Sequence, residues 1–218
     1  MVYEQDYFTT RNYLHKQQIV ECHVREVLRW ATKTLHSNLL DGAGKRALDV
    51  GCAYGYTSKV LAELGYETVG VDISVHAIKQ AKTHFPAEFL VHDAQNTLPF
   101  KAACFDLVTC FDVLEHLSNP EQALRSMFEV CRGTLVCTTP NKKVEKPVRK
   151  IMHDYDETHI STKTPLYWQQ VISSGLYAKA LRVATFYDLT FWLGGKLFFK
   201  SFNVPNYGLT VRMAIKKY

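Results

Sequence analysis

From Arg46 onward the chain alternates short β-prone runs with helical stretches: RALDV at 46–50, TVGVD at 68–72, EFLVH at 88–92, FDLVTC at 105–110 and TLVCTT at 134–139. This alternation constrains the fold more than any other feature. Strands separated by helices line up in parallel, and the connecting helices cover both faces of the resulting sheet. Two further strand-like runs, ALRVATF at 180–186 and LTVRMAI at 209–215, have no helix between them and are expected to pair as an antiparallel hairpin at one edge. The predicted architecture is a doubly wound α/β fold with a mostly parallel, seven-stranded sheet and an antiparallel C-terminal edge hairpin.

Ahead of the sheet, Ile19, Val20, Val24, Val27, Leu28, Ala31 and Leu35 recur at helical spacing across residues 17–37, after a tyrosine-rich arm at 3–14 that lacks a period. Asn119-Pro120 and Thr164-Pro165 each open a helix, with proline where its missing N–H costs nothing, and Gly175 closes the second. A chain of 218 residues that is 47% hydrophobic can bury one sizeable core, so a single domain is expected. Its parts are an N-terminal arm and helix (1–40), a first half (41–140), and a second half (141–218) with insertions at 141–164 and 187–208. The second insertion holds Tyr187, Phe191, Trp192, Phe198, Phe199, Phe202 and Tyr207. That is too apolar for a solvated loop, and with Tyr3, Tyr7 and Tyr13 it is expected to form the lid and walls of a pocket.

The start, MVYEQD, is acidic and is not followed by an apolar run, and no stretch of ~18 uncharged apolar residues occurs, so a cytoplasmic protein with no membrane span is expected. Six cysteines without a CxxC pair read as reduced, buried thiols. The net charge of +5 is uneven: residues 1–140 carry 13 Lys/Arg against 16 Asp/Glu, residues 141–218 carry 13 against 5. A basic second half suits an anionic partner or is a solvated face; its densest run, 141–150, has no interleaved aromatics and is a weak nucleic-acid signal.

Residues 47–55, Ala-Leu-Asp-Val-Gly-Cys-Ala-Tyr-Gly, describe a strand running into a glycine-bearing turn and a helix, at the switch point where open α/β sheets bind ligands. A nicotinamide dinucleotide fingerprint read from Gly51 would need glycine at Ala53 and Tyr56. Asp72 ends the second run, where a carboxylate can accept from both hydroxyls of a ribose, a placement that NAD shares. Asp93 ends the third, where a carboxylate can accept from an adenine amine, with the Ala94 N–H beside it; Ile73 offers an apolar surface to the ring. Asp49 suits the cationic end of a ligand. Each aspartate can also serve simply as a cap of the next turn.

At these residues the chain resembles the class I S-adenosylmethionine-dependent methyltransferases, and among them the ubiquinone/menaquinone-biosynthesis-like group of small-molecule enzymes (methyltransferase type 11). The resemblance runs from about Arg46 to Pro140 through LDVGCAYG, VDIS, HDAQNTLPF, FDLVTCFDVLEHL and TTPN. It implies that S-adenosyl-L-methionine is the cofactor. Asp49, Gly51, Ala53 and Gly55 would line its methionine end, Asp72 and Ile73 its ribose and adenine, Asp93 and Ala94 the adenine edge, and Phe111 the floor beside the sulfonium. The family's middle glycine is Ala53 here.

Methyl transfer is an in-line displacement, so alignment and a dry pocket do most of the work, with a base where the nucleophile is an oxygen. Two histidines are candidates. His116, in Asp-Val-Leu-Glu-His, follows the fourth strand as either a catalytic or a cofactor-orienting group. His159, in Asp154-Tyr-Asp-Glu-Thr-His-Ile, lies in a stretch resembling D-x-T-H-[IV], followed by Pro165 and Trp168, in small methyltransferases of glycan and natural-product chemistry. Carboxylates beside His159 suit a general base. Asp112, Glu115 and His116 also allow a metal, although no metal is assigned. The expected activity is methylation of a small-molecule acceptor, anionic or amphipathic, most simply on oxygen, by a chain that can form a homodimer. An RNA methyltransferase or a non-catalytic cofactor-binding module are the alternatives.

Overall fold

The computed structural model describes residues 3–85, 87–151 and 156–218. Five parallel strands match the five β-prone runs: β1 (Arg46–Val50), β2 (Glu67–Asp72), β3 (Glu88–Val91), β4 (Phe105–Phe111) and β5 (Cys131–Pro140). Three antiparallel strands follow: β6 (Ala178–Leu193), β7 (Lys196–Asn203) and β8 (Thr210–Lys217). The order across the sheet is β3-β2-β1-β4-β5-β8-β6-β7.

The sheet thus has eight strands, one more than the sequence suggests. The runs at 180–186 and 209–215 do pair, but they are not the edge; residues 187–193 prolong β6 past the expected insertion, and β7 returns beside it. The reason is the Gly194-Gly195 turn, whose φ values of 57 and 74 suit a two-residue hairpin that few other residues enter without strain. Phe191 and Phe198 face each other across this ribbon with rings stacked 5.3 Å apart. What reads as a lid is therefore sheet.

Helices cover both faces. On one lie α2 (Gln17–Leu35) and α3 (Tyr56–Glu63): the stripe Val24, Val27, Leu28 and Ala31 packs with Val60 and Leu61 over Leu107, Val136 and Ala214. On the other lie α5 (Pro120–Val130) and α7 (Pro165–Gly175), which bury Leu124, Met127, Trp168 and Ile172 against Leu48, Leu135 and Met213. Trp168, from the methyltransferase-like stretch, is thus a core residue of α7. Asn119 and Thr164 cap α5 and α7 by accepting from the backbone N–H of Gln122 and Tyr167. The helix α4 (Val75–His84) joins β2 to β3, with Ser74 as its cap.

The tyrosine-rich arm is not loose. It forms a short helix α1 (Gln5–Thr10) and a turn of 3-10 helix (Tyr13–Lys16), and Phe8 is buried against Tyr13 and Tyr54. Within 141–164, α6 (Glu145–Ile151) leaves the end of β5, and Asn141 bridges to Lys163. Asp154 and Tyr155 lie outside the described residues. All six cysteines are free. No helix among the described residues is long and apolar enough to cross a membrane.

Candidate active site

A cavity of ≈ 490 Å³ opens at the C-terminal ends of β1, β2 and β4, beneath the aromatic arm. That size suits a small molecule; such sites run to about 300–1,000 Å³. Asp49, Gly51, Ala53, Asp72, Ile73, Asp93, Ala94, Phe111, His116 and His159, the residues expected from the sequence, all border it. Gly55 does not. It caps α3 at φ 81 with Phe85, Phe89 and Ala81 packed where a Cβ would project, so its task is the turn and the close approach of α4.

Asp49 is fully buried at the end of β1. Ser58 donates to its Oδ2 at 2.7 Å and Thr109 to its Oδ1 at 3.0 Å. No cation answers it in these contacts, and burial, only partly offset by the two hydroxyls, pushes its carboxyl up to about 6. Gly51, at φ 75, has Val113 Cγ2 only 2.1 Å from where a Cβ would stand, so the chain can turn here only without a side chain. Ala53 takes the left-handed region too, at φ 47, despite its methyl group. The conformation is held by its N–H, which donates to Asp72 Oδ2 at 2.8 Å.

Asp72 is therefore a hub. Its Oδ1 accepts the Ser74 N–H at 2.8 Å, and burial nonetheless raises its carboxyl. Asp93 accepts the Gln95 N–H at 2.9 Å. Both aspartates thus perform the local turn role, and both border the cavity with lone pairs to spare.

On the opposite wall the segment 156–161 meets the turn after β4. Rings of His116 and His159 lie 4.7 Å apart, edge to face. His116 Nδ1 faces the Thr158 carbonyl at 3.2 Å and hydroxyl at 2.9 Å; burial, helped by His159, lowers His116 to about 4. His159 has a carboxylate at each nitrogen, Glu145 on Nδ1 and Asp156 on Nε2, the latter at 3.6 Å. Glu115 is fully buried; Thr139 donates to its Oε2 at 3.2 Å, while its Oε1 has no partner among the described residues. Burial, reinforced by Asp112, holds Glu115 well above the usual carboxylate range. Glu115, His116 and His159 bring ligand-type atoms within 4.8 Å of one another, the one arrangement among the described residues suited to a metal. Asp112 instead accepts from Thr138 at 3.0 Å, outside that cluster.

Three cavity residues carry buried nitrogens or oxygens with no partner among the described residues: His23 Nε2, His92 Nε2 and Glu115 Oε1. Such atoms are costly unless a ligand or water answers them. His23 and Asp188 are cavity residues that sequence reasoning misses. One signal existed: a histidine on the inward face of α2, between Val20 and Val24, and a single acid in the aromatic run from 178 to 203.

Residues 48–137 match the Methyltransf_11 family, described as a methyltransferase domain. The ubiquinone biosynthesis O-methyltransferase of Azoarcus sp. (strain BH72) is 36% identical over 107 residues, covering 46% of this chain and 46% of that protein. The mitochondrial ubiquinone biosynthesis O-methyltransferase of Rattus norvegicus is 30% identical over 152 residues, covering 65% of this chain and 44% of its own length. The chain thus spans about half the length of the curated relatives it matches. Among solved structures, an S-adenosylmethionine-dependent methyltransferase from Thermotoga maritima superposes over 100% of both chains with a TM-score of 0.69 at 18% identity, a likeness of fold. The strand-end acids that share this cavity fall within the stretch matched to the methyltransferase domain, and there the chain is similar to S-adenosylmethionine-dependent methyltransferases of the ubiquinone-biosynthesis-like group.

Proposed function

We propose that the chain methylates a small-molecule acceptor on oxygen, within the cavity between the sheet ends and the aromatic arm. The observation that carries this is the meeting of three strand-end carboxylates, Asp49, Asp72 and Asp93, on a cavity that also holds unpartnered buried polar atoms. Asp49, Gly51 and Ala53 hold the methionine end of the cofactor, Asp72 and Ile73 its ribose and adenine, and Asp93 with the Ala94 N–H the adenine edge. When bound, S-adenosylmethionine supplies a methyl group already activated by a positive sulfur. Asp49, ionised and otherwise without a cation, is matched to an ammonium group. Phe111 forms the floor near the transferred methyl.

The protein contributes alignment and dryness. Tyr7, Phe8 and Tyr13 roof the cavity and exclude water, while Arg11 and Lys16 border it with positive charge. An aromatic roof with cations at its border suits an amphipathic or anionic hydroxylated acceptor, in keeping with relatives named for ubiquinone biosynthesis. His116 and His159 form the acceptor wall. His116, lowered to about 4, stays neutral at pH 7. For His159 to act as the base, it must part from Glu145 or Asp156; in the present geometry it ties segment 156–161 to α6.

Calorimetry with S-adenosylhomocysteine and release of that product from S-adenosylmethionine with phenolic acceptors test the reading. His159→Ala should leave product affinity within about threefold and cut turnover by on the order of a hundredfold, the usual reach of a lost acid–base or positioning group. Unchanged turnover would remove His159 from the acceptor site.

A further inference from the structure

We infer that His23, oriented by Asp188, is the general base that takes the proton of the acceptor hydroxyl through its Nε2 atom. The inference rests on the oxygen-acceptor reading above and names the residue that performs its proton transfer.

His23 sits on the inward side of α2 and borders the cavity. Its Nδ1 lies 3.0 Å from Asp188 Oδ2 on β6, 165 residues away. The other carboxylate oxygen of Asp188 accepts from Arg212 Nη2 at 2.6 Å and from Ser201 Oγ at 2.6 Å. Arg212, on β8, is fully buried and lies with its guanidinium 4.0 Å over the Phe186 ring. Burial alone would push Asp188 up, but His23, Arg212 and Ser201 together hold it at about 2. An ionised carboxylate only accepts, so the proton between the two residues sits on Nδ1, an arrangement that leaves Nε2 to carry the lone pair whenever the ring holds one proton.

That second nitrogen is buried and has no partner among the described residues. It is also well placed. The His23 ring stands edge-on to Phe111 at 6.1 Å and near Phe199 at 6.1 Å. Phe111 is the residue assigned to the floor beside the sulfonium. The geometry has the parts of an orienting carboxylate, an imidazole and a free nitrogen on a substrate cavity. None of the other three histidines of the cavity wall matches it: His159 is bracketed by two carboxylates, His116 faces Thr158, and His92, whose Nε2 is also unpartnered, has no carboxylate orienting its ring among the described residues.

In the step, the acceptor O–H proton passes to His23 Nε2 while an oxygen lone pair forms the new O–CH₃ bond. The electron pair of the broken C–S bond stays on sulfur, which becomes a neutral thioether. Asp188, the positioning residue, stabilises the imidazolium, which afterwards returns its proton to water.

The test compares wild type with His23→Gln and Asp188→Asn, using catechol and the more acidic 4-nitrocatechol as acceptors. In His23→Gln, kcat with catechol should fall on the order of a hundredfold. With 4-nitrocatechol, whose hydroxyl ionises unaided, the fall should stay within about tenfold, and S-adenosylhomocysteine affinity should be unchanged. Asp188→Asn should move the acid limb of the wild-type pH–rate profile. Independently of turnover, long-range ¹H–¹⁵N spectra of the cofactor-free protein should show the neutral His23 ring, identified by its loss in His23→Gln, protonated on Nδ1. An Nε2–H tautomer, or equal losses with both phenols, overturns the assignment. A wild type that methylates catechol no faster than His23→Gln sinks His23 alone. One that binds S-adenosylhomocysteine yet methylates neither phenol sinks the oxygen-acceptor reading together with the base.

Discussion

Asp49, fully buried, and Asp188, partly buried, border the same cavity, and their surroundings drive them in opposite directions. Burial governs Asp49; with only the hydroxyls of Ser58 and Thr109 to offset it, the carboxyl rises to about 6. Burial acts on Asp188 in the same sense, but the contacts with His23, Arg212 and Ser201 overrule it and bring the carboxyl to about 2. On the proposed reading, the acid whose charge is already answered belongs to the architecture of the acceptor side, and the acid whose charge is not answered awaits a ligand, the ammonium group of the cofactor.

The contrast breaks most visibly at Arg212. Arg212→Ala removes the fully buried guanidinium that pairs with Asp188 and should destabilise the protein by about 3–5 kcal/mol in urea unfolding. A loss near zero would mean that Asp188 is not held by that pair. Asp49→Asn should act in the other sense. The folded-state value of Asp49 lies above its ordinary 3.8, so its ionisation costs stability as pH rises from 3.8 through about 6. Removing that charge should raise the unfolding free energy at pH 7 by up to about 3 kcal/mol, while abolishing measurable cofactor heat. The same value fixes a pH dependence of binding: affinity for S-adenosylmethionine should weaken below pH about 6, as Asp49 takes up a proton, and calorimetry from pH 5 to 8 reads it. Flat affinity across that range would detach Asp49 from the ammonium. The smallest effect belongs to the hairpin that carries Asp188. Gly195, at φ 74 with nothing within 4 Å of a Cβ, should cost only about 1 kcal/mol on mutation to alanine, the price of the backbone alone.

The two sides also differ in how far the sequence discloses them. The proposed cofactor side is assembled from the ends of consecutive strands and the turns after them, so Asp49, Asp72 and Asp93 are legible from spacing, and β1 has the predicted bounds. Asn119 and Thr164 announce their helices by local cap chemistry. The acceptor side joins distant elements. Tyr7 reaches Asp156 across 149 residues and His23 reaches Asp188 across 165, and no local pattern encodes such pairs. The eighth strand is a different case: Gly194-Gly195 between aromatic runs is a hairpin signal in its own right, masked by the expectation that an apolar segment of that length is a lid. Ala53 departs from the glycine of the family turn, and its left-handed backbone follows from the hydrogen bond to Asp72, a partner 19 residues on.

The most direct test of the account is a crystal structure of the chain with S-adenosylhomocysteine. It should place the amino group at Asp49, the ribose hydroxyls at Asp72 and the adenine edge at Asp93, with the thioether sulfur facing Phe111. A ligand bound elsewhere, or in this cavity with any of the three carboxylates turned away from it, would contradict the central claim.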